Sequence, residues 1–226
     1  MADRTVFITG GTGGLGGAVT AAFVAAGWRT VATARKDPPD GGGATYVTAD
    51  LTDPAAVEAA VATAVADWAA PLRAVINLVG GYAAAGLVHE TPIEDFEQML
   101  ALNLRPTYLV TQAALPHLVE AGGGSVVCVS SRAALSPFPG AAGYVTAKAA
   151  VLAFAGAVAV EYKAKGVRCN TVVPSVIDTP TNRAAQPDAD TSRWVPPEDI
   201  ATVIRFLAGE ESAPTSGATI PVYGRA

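Results

Sequence analysis

Short β-branched, apolar runs alternate with longer alanine-rich segments from one end of the chain to the other. Thr5–Thr9, Thr30–Thr33, Thr45–Ala49, Ala74–Asn77, Ser125–Ser130, Val167–Val173 and Ala218–Val222 have the length and residue types of buried strands. The intervening patterns, at about Gly14–Ala26, Pro54–Ala69, Ile93–Glu120, Gly143–Lys163 and Pro197–Gly209, read as helices, the second opened by the cap-like pair Asp53-Pro54. Alternation of this kind implies parallel strands joined by right-handed crossovers, with helices on both faces. The expected fold is therefore α/β: a doubly wound, seven-stranded parallel sheet in one domain spanning residues 1–226. Two segments depart from the rhythm. Asp37–Gly43 is turn chemistry where a crossover helix is expected, and Pro180–Pro197 reads as a long irregular loop with one tryptophan, Trp194, placed to act as a substrate loop or lid.

Composition narrows the partner. Half of the 226 residues are apolar and 15% are charged, so the chain has ample material for a core. A net charge of −5 argues against a basic surface for nucleic acid or anionic lipid, and leaves a small molecule as the expected partner. The longest apolar run, Ala149–Val160, has 12 residues, short of the roughly 20 that span a bilayer. With no secretory signal legible in MADRTVFITGG, the cytoplasm is the expected location and no membrane partner is expected. Cys128 and Cys169 fall inside strand candidates and read as reduced core residues. Two histidines and two such cysteines have no metal-site spacing, so no metal is expected; His117 reads as structural.

The first chemistry lies in TVFITGGTGGLG, residues 5–16, where a strand runs into glycines and then a helix. Missing side chains let the backbone approach a pyrophosphate at the helix N-terminus, where free N–H groups and the helix dipole favour anions. The second strand ends TVATARK: Ala34 stands where an NAD-binding chain usually has an acid, and Arg35 follows it. A ribose 2′-phosphate would meet a guanidinium and no carboxylate, so NADP(H) is expected in preference to NAD(H), which stays possible.

The second lies in GYVTAK, residues 143–148, where Tyr144 and Lys148 share a helix face at i and i+4. A free phenol has a pKa of about 10, and a neighbouring ammonium is expected to lower it towards neutral pH. Ser131, at the end of a strand, points a hydroxyl towards the crevice where such sheets bind ligands.

Taken in order, TGGTGGLG at 9–16, NLVG at 77–80, Asn103, Ser131 and YVTAK at 144–148 resemble the short-chain dehydrogenase/reductase family along nearly the whole chain. The resemblance implies a Rossmann-type fold and an oxidoreductase that reduces a carbonyl, or oxidises the alcohol, by hydride transfer. It implies that Gly10, Gly13, Gly14 and Gly16, with Thr12 and Leu15, meet the cofactor phosphates, and that Asp50 and Leu51 meet the adenine. Asn77 and Gly80 match the ends of a family motif whose middle here is Leu78-Val79. Pro174, Ile177 and Thr179 match the segment that meets the nicotinamide carboxamide, with Ser175 where a glycine is usual. The implied catalytic set is Asn103, which bends a crossover helix and helps hold a relay water, Ser131, which steadies the reacting oxygen, Tyr144 as general acid/base, and Lys148, which lowers the tyrosine pKa and bonds the nicotinamide ribose; Tyr144 and Lys148 thus also belong to the implied cofactor site.

The late segment VVPSVIDTPTNRAAQPDADTSRWVPPEDI is also similar to dihydropteridine reductases, which makes quinonoid pterin reduction the alternative activity. A nucleotide-sensing protein without chemistry is the rival from another class. Tyr82, Phe138, Trp194 and His89 are expected near the substrate, and small residues on Ile93–Glu120 and Gly143–Lys163 suit a homo-oligomer, a tetramer or dimer.

Overall fold

The protein was described from a computed structural model, covering residues 2–36, 41–83 and 86–225. Its seven strands are β1 (Thr5–Ile8), β2 (Arg29–Ala34), β3 (Ala44–Thr48), β4 (Leu72–Asn77), β5 (Gly124–Val129), β6 (Val167–Pro174) and β7 (Thr219–Val222). They form one sheet in the order β3-β2-β1-β4-β5-β6-β7, and every pairing is parallel. The order reverses between β1 and β4, the topological switch point at whose carboxyl edge ligands bind.

The helices are α1 (Gly16–Ala25), α2 (Pro54–Val65), α3 (Ile93–Asn103), α4 (Arg105–Glu120), α5 (Ala142–Glu161), α6 (Pro180–Ala185) and α7 (Pro197–Ala208). Each face of the sheet has its own core. On one, Phe7, Val31, Leu72, Val126 and Cys169 pack with Val57 and Val61 of α2, Leu118 of α4 and Val151 of α5. On the other, Val6, Ile8, Ile76 and Val172 pack with Val19 and Phe23 of α1 and Ile204 and Leu207 of α7. Central strands buried on both faces explain why the strand sequences read as continuous apolar runs without alternation.

Three expectations change. The segment 93–120 is two helices broken at Leu104, because Pro106 cannot donate the hydrogen bond that would continue the first helix. The segment 180–197 is more ordered than its composition suggests. Thr179 caps α6 by accepting from the Asn182 N–H at 3.2 Å, a 3-10 turn covers Thr191–Arg193, and Ile177 pairs with Val195. The first helix begins at Gly16, two residues later than expected, which leaves the glycine stretch as an open loop. Of Asp37–Gly43, residues 37–40 lie outside the described residues. Asp53 caps α2 as expected, its carboxylate accepting from the N–H groups of Ala55 and Ala56.

Among the described residues α5 alone has the length and apolar composition of a membrane span, a point that the 12-residue run by itself understated. In the fold it packs against α3 and β6.

Leu118 and Ile204 are wholly buried on opposite faces of the sheet. Replacing either by alanine should cost about 2–5 kcal/mol in chemical denaturation, whereas Trp68→Ala, at a residue 86% exposed, should cost less than about 0.5 kcal/mol.

Candidate active site

The loop between β1 and α1 is pinned from beneath. Thr33 of β2 accepts from the Gly10 N–H at 3.0 Å through its hydroxyl, and its carbonyl accepts from the Gly11 N–H at 2.8 Å. Gly10 has φ +69°, and a Cβ on Gly16 would stand 1.9 Å from the Gly10 carbonyl oxygen, so neither position accepts a side chain. α1 has neither a side-chain cap nor an acidic residue in its first turn; the Gly17 N–H donates to the Gly13 carbonyl at 3.0 Å, and the positive dipole end faces the loop where an anion would sit. Gly10, Gly13, Gly14, Leu15 and Gly16 form one wall of a cleft of about 980 Å³. A cradle that side chains would fill, at an uncapped helix N-terminus, fits a dinucleotide pyrophosphate.

Thr12 is exposed on this loop and stands outside the cleft wall. Ala34 closes β2 and Arg35 follows it, exposed to solvent. Asp50 follows β3 at the same edge of the sheet, its carboxylate accepting from the Thr52 N–H at 2.9 Å and the Thr52 hydroxyl at 2.7 Å. These bonds hold its carboxyl below the usual range. Leu51 is buried in the core and cannot offer its side chain to a ligand surface. Pro174 and Ile177 line the cleft; Thr179 is buried behind it, its methyl group against Gly14.

Tyr144 and Lys148 project from one face of α5 into the cleft, with Lys148 Nζ 6.0 Å from the centre of the Tyr144 ring. Two bonds lock the helix to the end of β5. Lys148 Nζ donates to the Val129 carbonyl at 3.2 Å, and the Ser130 hydroxyl donates to the Lys148 carbonyl at 2.7 Å. Ser131, the next residue, lines the same cleft, its hydroxyl accepting from the Ala133 N–H at 3.2 Å.

The electrostatics correct one expectation. Burial pulls the Lys148 ammonium down to about 8, with the Cys128 charge acting in the other direction. Burial also pushes the Tyr144 phenol up; a hydrogen bond with Ser131 draws it back and Tyr82 adds to the rise. In the protein alone the phenol therefore lies above its ordinary value, because burial disfavours the phenolate.

Asn103 is wholly buried at the end of α3 and clamps the loop after β4. Its Oδ1 accepts from the Gly81 N–H at 3.1 Å, while Nδ2 donates to the carbonyls of Gly81 and Met99, each at 3.0 Å. Both amide hydrogens are thus committed to the protein's own carbonyls. A Cβ on Gly80 would lie 2.6 Å from Asn103 Oδ1 and 2.9 Å from Lys148 Nζ, so this glycine is what lets the clamp and the lysine approach each other. Asn77 is not among the cleft-lining residues: its Nδ2 donates to the Thr111 hydroxyl at 3.0 Å and braces β4 against α4.

The substrate side of the cleft carries Tyr82, Phe138 and Ser136. The Tyr82 ring meets that of Tyr144 edge-on at 5.1 Å and that of Phe138 at 6.1 Å. Trp194 and His89, expected here, are absent from its walls; the His89 side chain is 77% exposed. Sequence reading passed over Thr9, whose hydroxyl accepts from the N–H groups of Leu78 and Val79, and Thr33. A hydroxyl at a strand's carboxyl end was the signal. It also passed over Arg132, which lines the cleft beside Ser131.

The sequence model of the family described as "short chain dehydrogenase" matches residues 4–190. The 2-(R)-hydroxypropyl-CoM dehydrogenase of Xanthobacter autotrophicus is 34% identical, covering 98% of both chains. The D-threitol dehydrogenase of Mycolicibacterium smegmatis is 30% identical over 98% of this chain and 92% of its own. Among solved structures, ElxO with NADP bound superposes with a TM-score of 0.90 at 27% identity, covering 98% of both chains. The chain belongs to the short-chain dehydrogenase/reductase family and is an NAD(P)-dependent oxidoreductase acting between alcohol and carbonyl.

A lysine with a native pKa near 8 and an unfolded one of about 10.4 loses its proton earlier in the folded protein. Between those values the unfolded chain binds more protons, so this group makes stability rise with pH, by at most about 1.4 kcal/mol per unit. The difference in unfolding free energy between wild type and Lys148→Met should therefore move in favour of wild type from pH 8 to 10. Denaturant titrations at each pH check this, and a pH-independent difference would contradict it.

Proposed function

We propose that the protein reduces a carbonyl compound with NADPH, using Tyr144 as general acid. The observation that carries this reading is the convergence of Ser131, Tyr144 and Lys148 on the cleft whose opposite wall is the glycine loop at the α1 N-terminus. When bound there, the reduced nicotinamide supplies the hydride. The Ser131 hydroxyl donates to the carbonyl oxygen and orients it. The Tyr144 phenol, kept protonated by burial, gives its proton to that oxygen as negative charge develops. Lys148, held by the Val129 carbonyl, stabilises the phenolate left behind, which is the state in which its charge counts. Asn103 keeps the loop at Gly80–Gly81 in place beside that ammonium.

Arg35, beyond the buried Ala34 and with no acid at the strand end, supports preference for NADPH. The reduced buried thiols of Cys128 and Cys169 suit a cytoplasmic protein. The outer face of α4 and α5, with Tyr108 and Phe154 in ring contact at 5.7 Å and Val160 78% exposed, suits a homo-oligomer that light scattering would detect. The similarity of the late segment to dihydropteridine reductases gains no specific support from the relatives above, and quinonoid pterins belong in the substrate panel as the second arm.

Tyr144→Phe should lower kcat by about 10²–10⁴-fold while NADPH still binds, measured by nicotinamide absorbance and fluorescence titration. Retained turnover would overturn the assignment. Arg35→Glu should lower the ratio of kcat/KM with NADPH to that with NADH by at least about tenfold, the effect of losing a charge-assisted bond.

A further inference from the structure

The cleft holds a cation that the chemistry above does not use. Arg132 follows Ser131 directly, is exposed, and lines the same cleft. Its guanidinium lies over the Tyr223 ring, 5.0 Å from the centre. The backbone that carries that ring is fixed in turn, because the Ser175 hydroxyl donates to the Tyr223 carbonyl at 3.0 Å and the Ser175 N–H to the Val222 carbonyl at 3.4 Å. The serine that replaces a usual glycine thus ties the shelf beneath Arg132 to the end of β6.

Among the described residues the ion pairs are Arg4–Asp3, Arg29–Asp67, His89–Glu90 and Arg183–Asp178, and Arg132 is in none of them. Among the described residues the charged side chains on the cleft wall are Arg132 and Lys148, and no carboxylate side chain lines it, in a chain whose net charge is −5. Lys148 is buried and bonded to the Val129 carbonyl, so Arg132 is the cation an incoming ligand meets. A guanidinium has N–H donors on more than one edge, so one resting over a ring can still bond an oxyanion. Arg132 and Arg35 cannot share one phosphate. β2 and β5, the strands they follow, are separated by β1 and β4, and three strand spacings amount to about 14 Å.

We propose that Arg132 selects a carbonyl substrate that carries an oxyanion, a carboxylate, sulfonate or phosphonate, close to the reacting carbon. The inference rests on the reductase reading of the site and names its substrate class. With the anionic group on Arg132, the carbonyl is brought to Ser131 and Tyr144, and the remaining carbons face Tyr82 and Phe138.

Short 2-oxo and 3-oxo carboxylates, and oxo sulfonates and phosphonates, are assayed with NADPH beside their methyl esters, using the full chain. Wild type should favour an acid over its ester by about tenfold or more in kcat/KM, mainly through KM. Arg132→Gln should lower that ratio at least about tenfold, with Arg132→Lys in between. The arm with the largest ratio identifies the oxyanion. An acid-to-ester ratio unchanged by Arg132→Gln, or turnover of esters with no preference for any acid, overturns the proposal and leaves the reductase reading standing. Calorimetric titration of the acids into NADPH-loaded wild type and Arg132→Gln reads the same contact without turnover. Tighter binding to wild type supports the proposal even where activity is lacking, a result that would instead sink the reductase reading, and equal binding overturns the proposal.

Discussion

A buried ammonium organises this site. Lys148 is 6% exposed, and a cation in such surroundings is tolerated only where polar groups surround it. The Val129 carbonyl supplies one partner, Asn103 Oδ1 stands nearby across Gly80, and the neutral form is brought within reach by burial. Meeting those needs requires the end of β5, the first turns of α5, the end of α3 and the loop after β4 to converge on one point. The missing side chain at Gly80 is what permits that convergence.

The same burial sets the chemistry of Tyr144. A phenol raised by desolvation is a poor base and a well-retained acid, which suits it to giving a proton to an oxygen on which charge is growing. Its ring meets that of Tyr82 edge-on, and Ser131 lines the cleft with it, so the three side chains share one wall. Charge is divided along the sheet edge by strand order. Arg35 stands past β2, outside the cleft wall, and Arg132 past β5 on it, with the glycine loop after β1 between them.

Two cores share the load of holding this edge rigid. Thr9 and Thr33 bond the loops that leave β4 and β1, Asn77 bonds α4, and Ser130 bonds the Lys148 carbonyl, so the glycine loop, the start of the loop after β4 and α5 are all referenced to the sheet. Hydroxyls at carboxyl ends of strands are cheap to satisfy there, because the first residues of the departing loop offer N–H groups without partners in the ladder.

The chain by itself determined the strands, the alternating helices and hence the parallel sheet, since central strands buried on both faces must be continuous apolar runs and crossovers have one hand. It also determined the glycine loop, the Tyr144 and Lys148 face and the strand-end serine, because each depends on spacing within one element. Only the tertiary structure decided that Asn77 braces β4 against α4, that Trp194 and His89 miss the cleft, that the segment after β6 folds into α6, and that Arg132 rests on Tyr223. It also decided the direction of the Tyr144 shift, because desolvation depends on every atom packed around a group while a spacing of four residues reports only one neighbour.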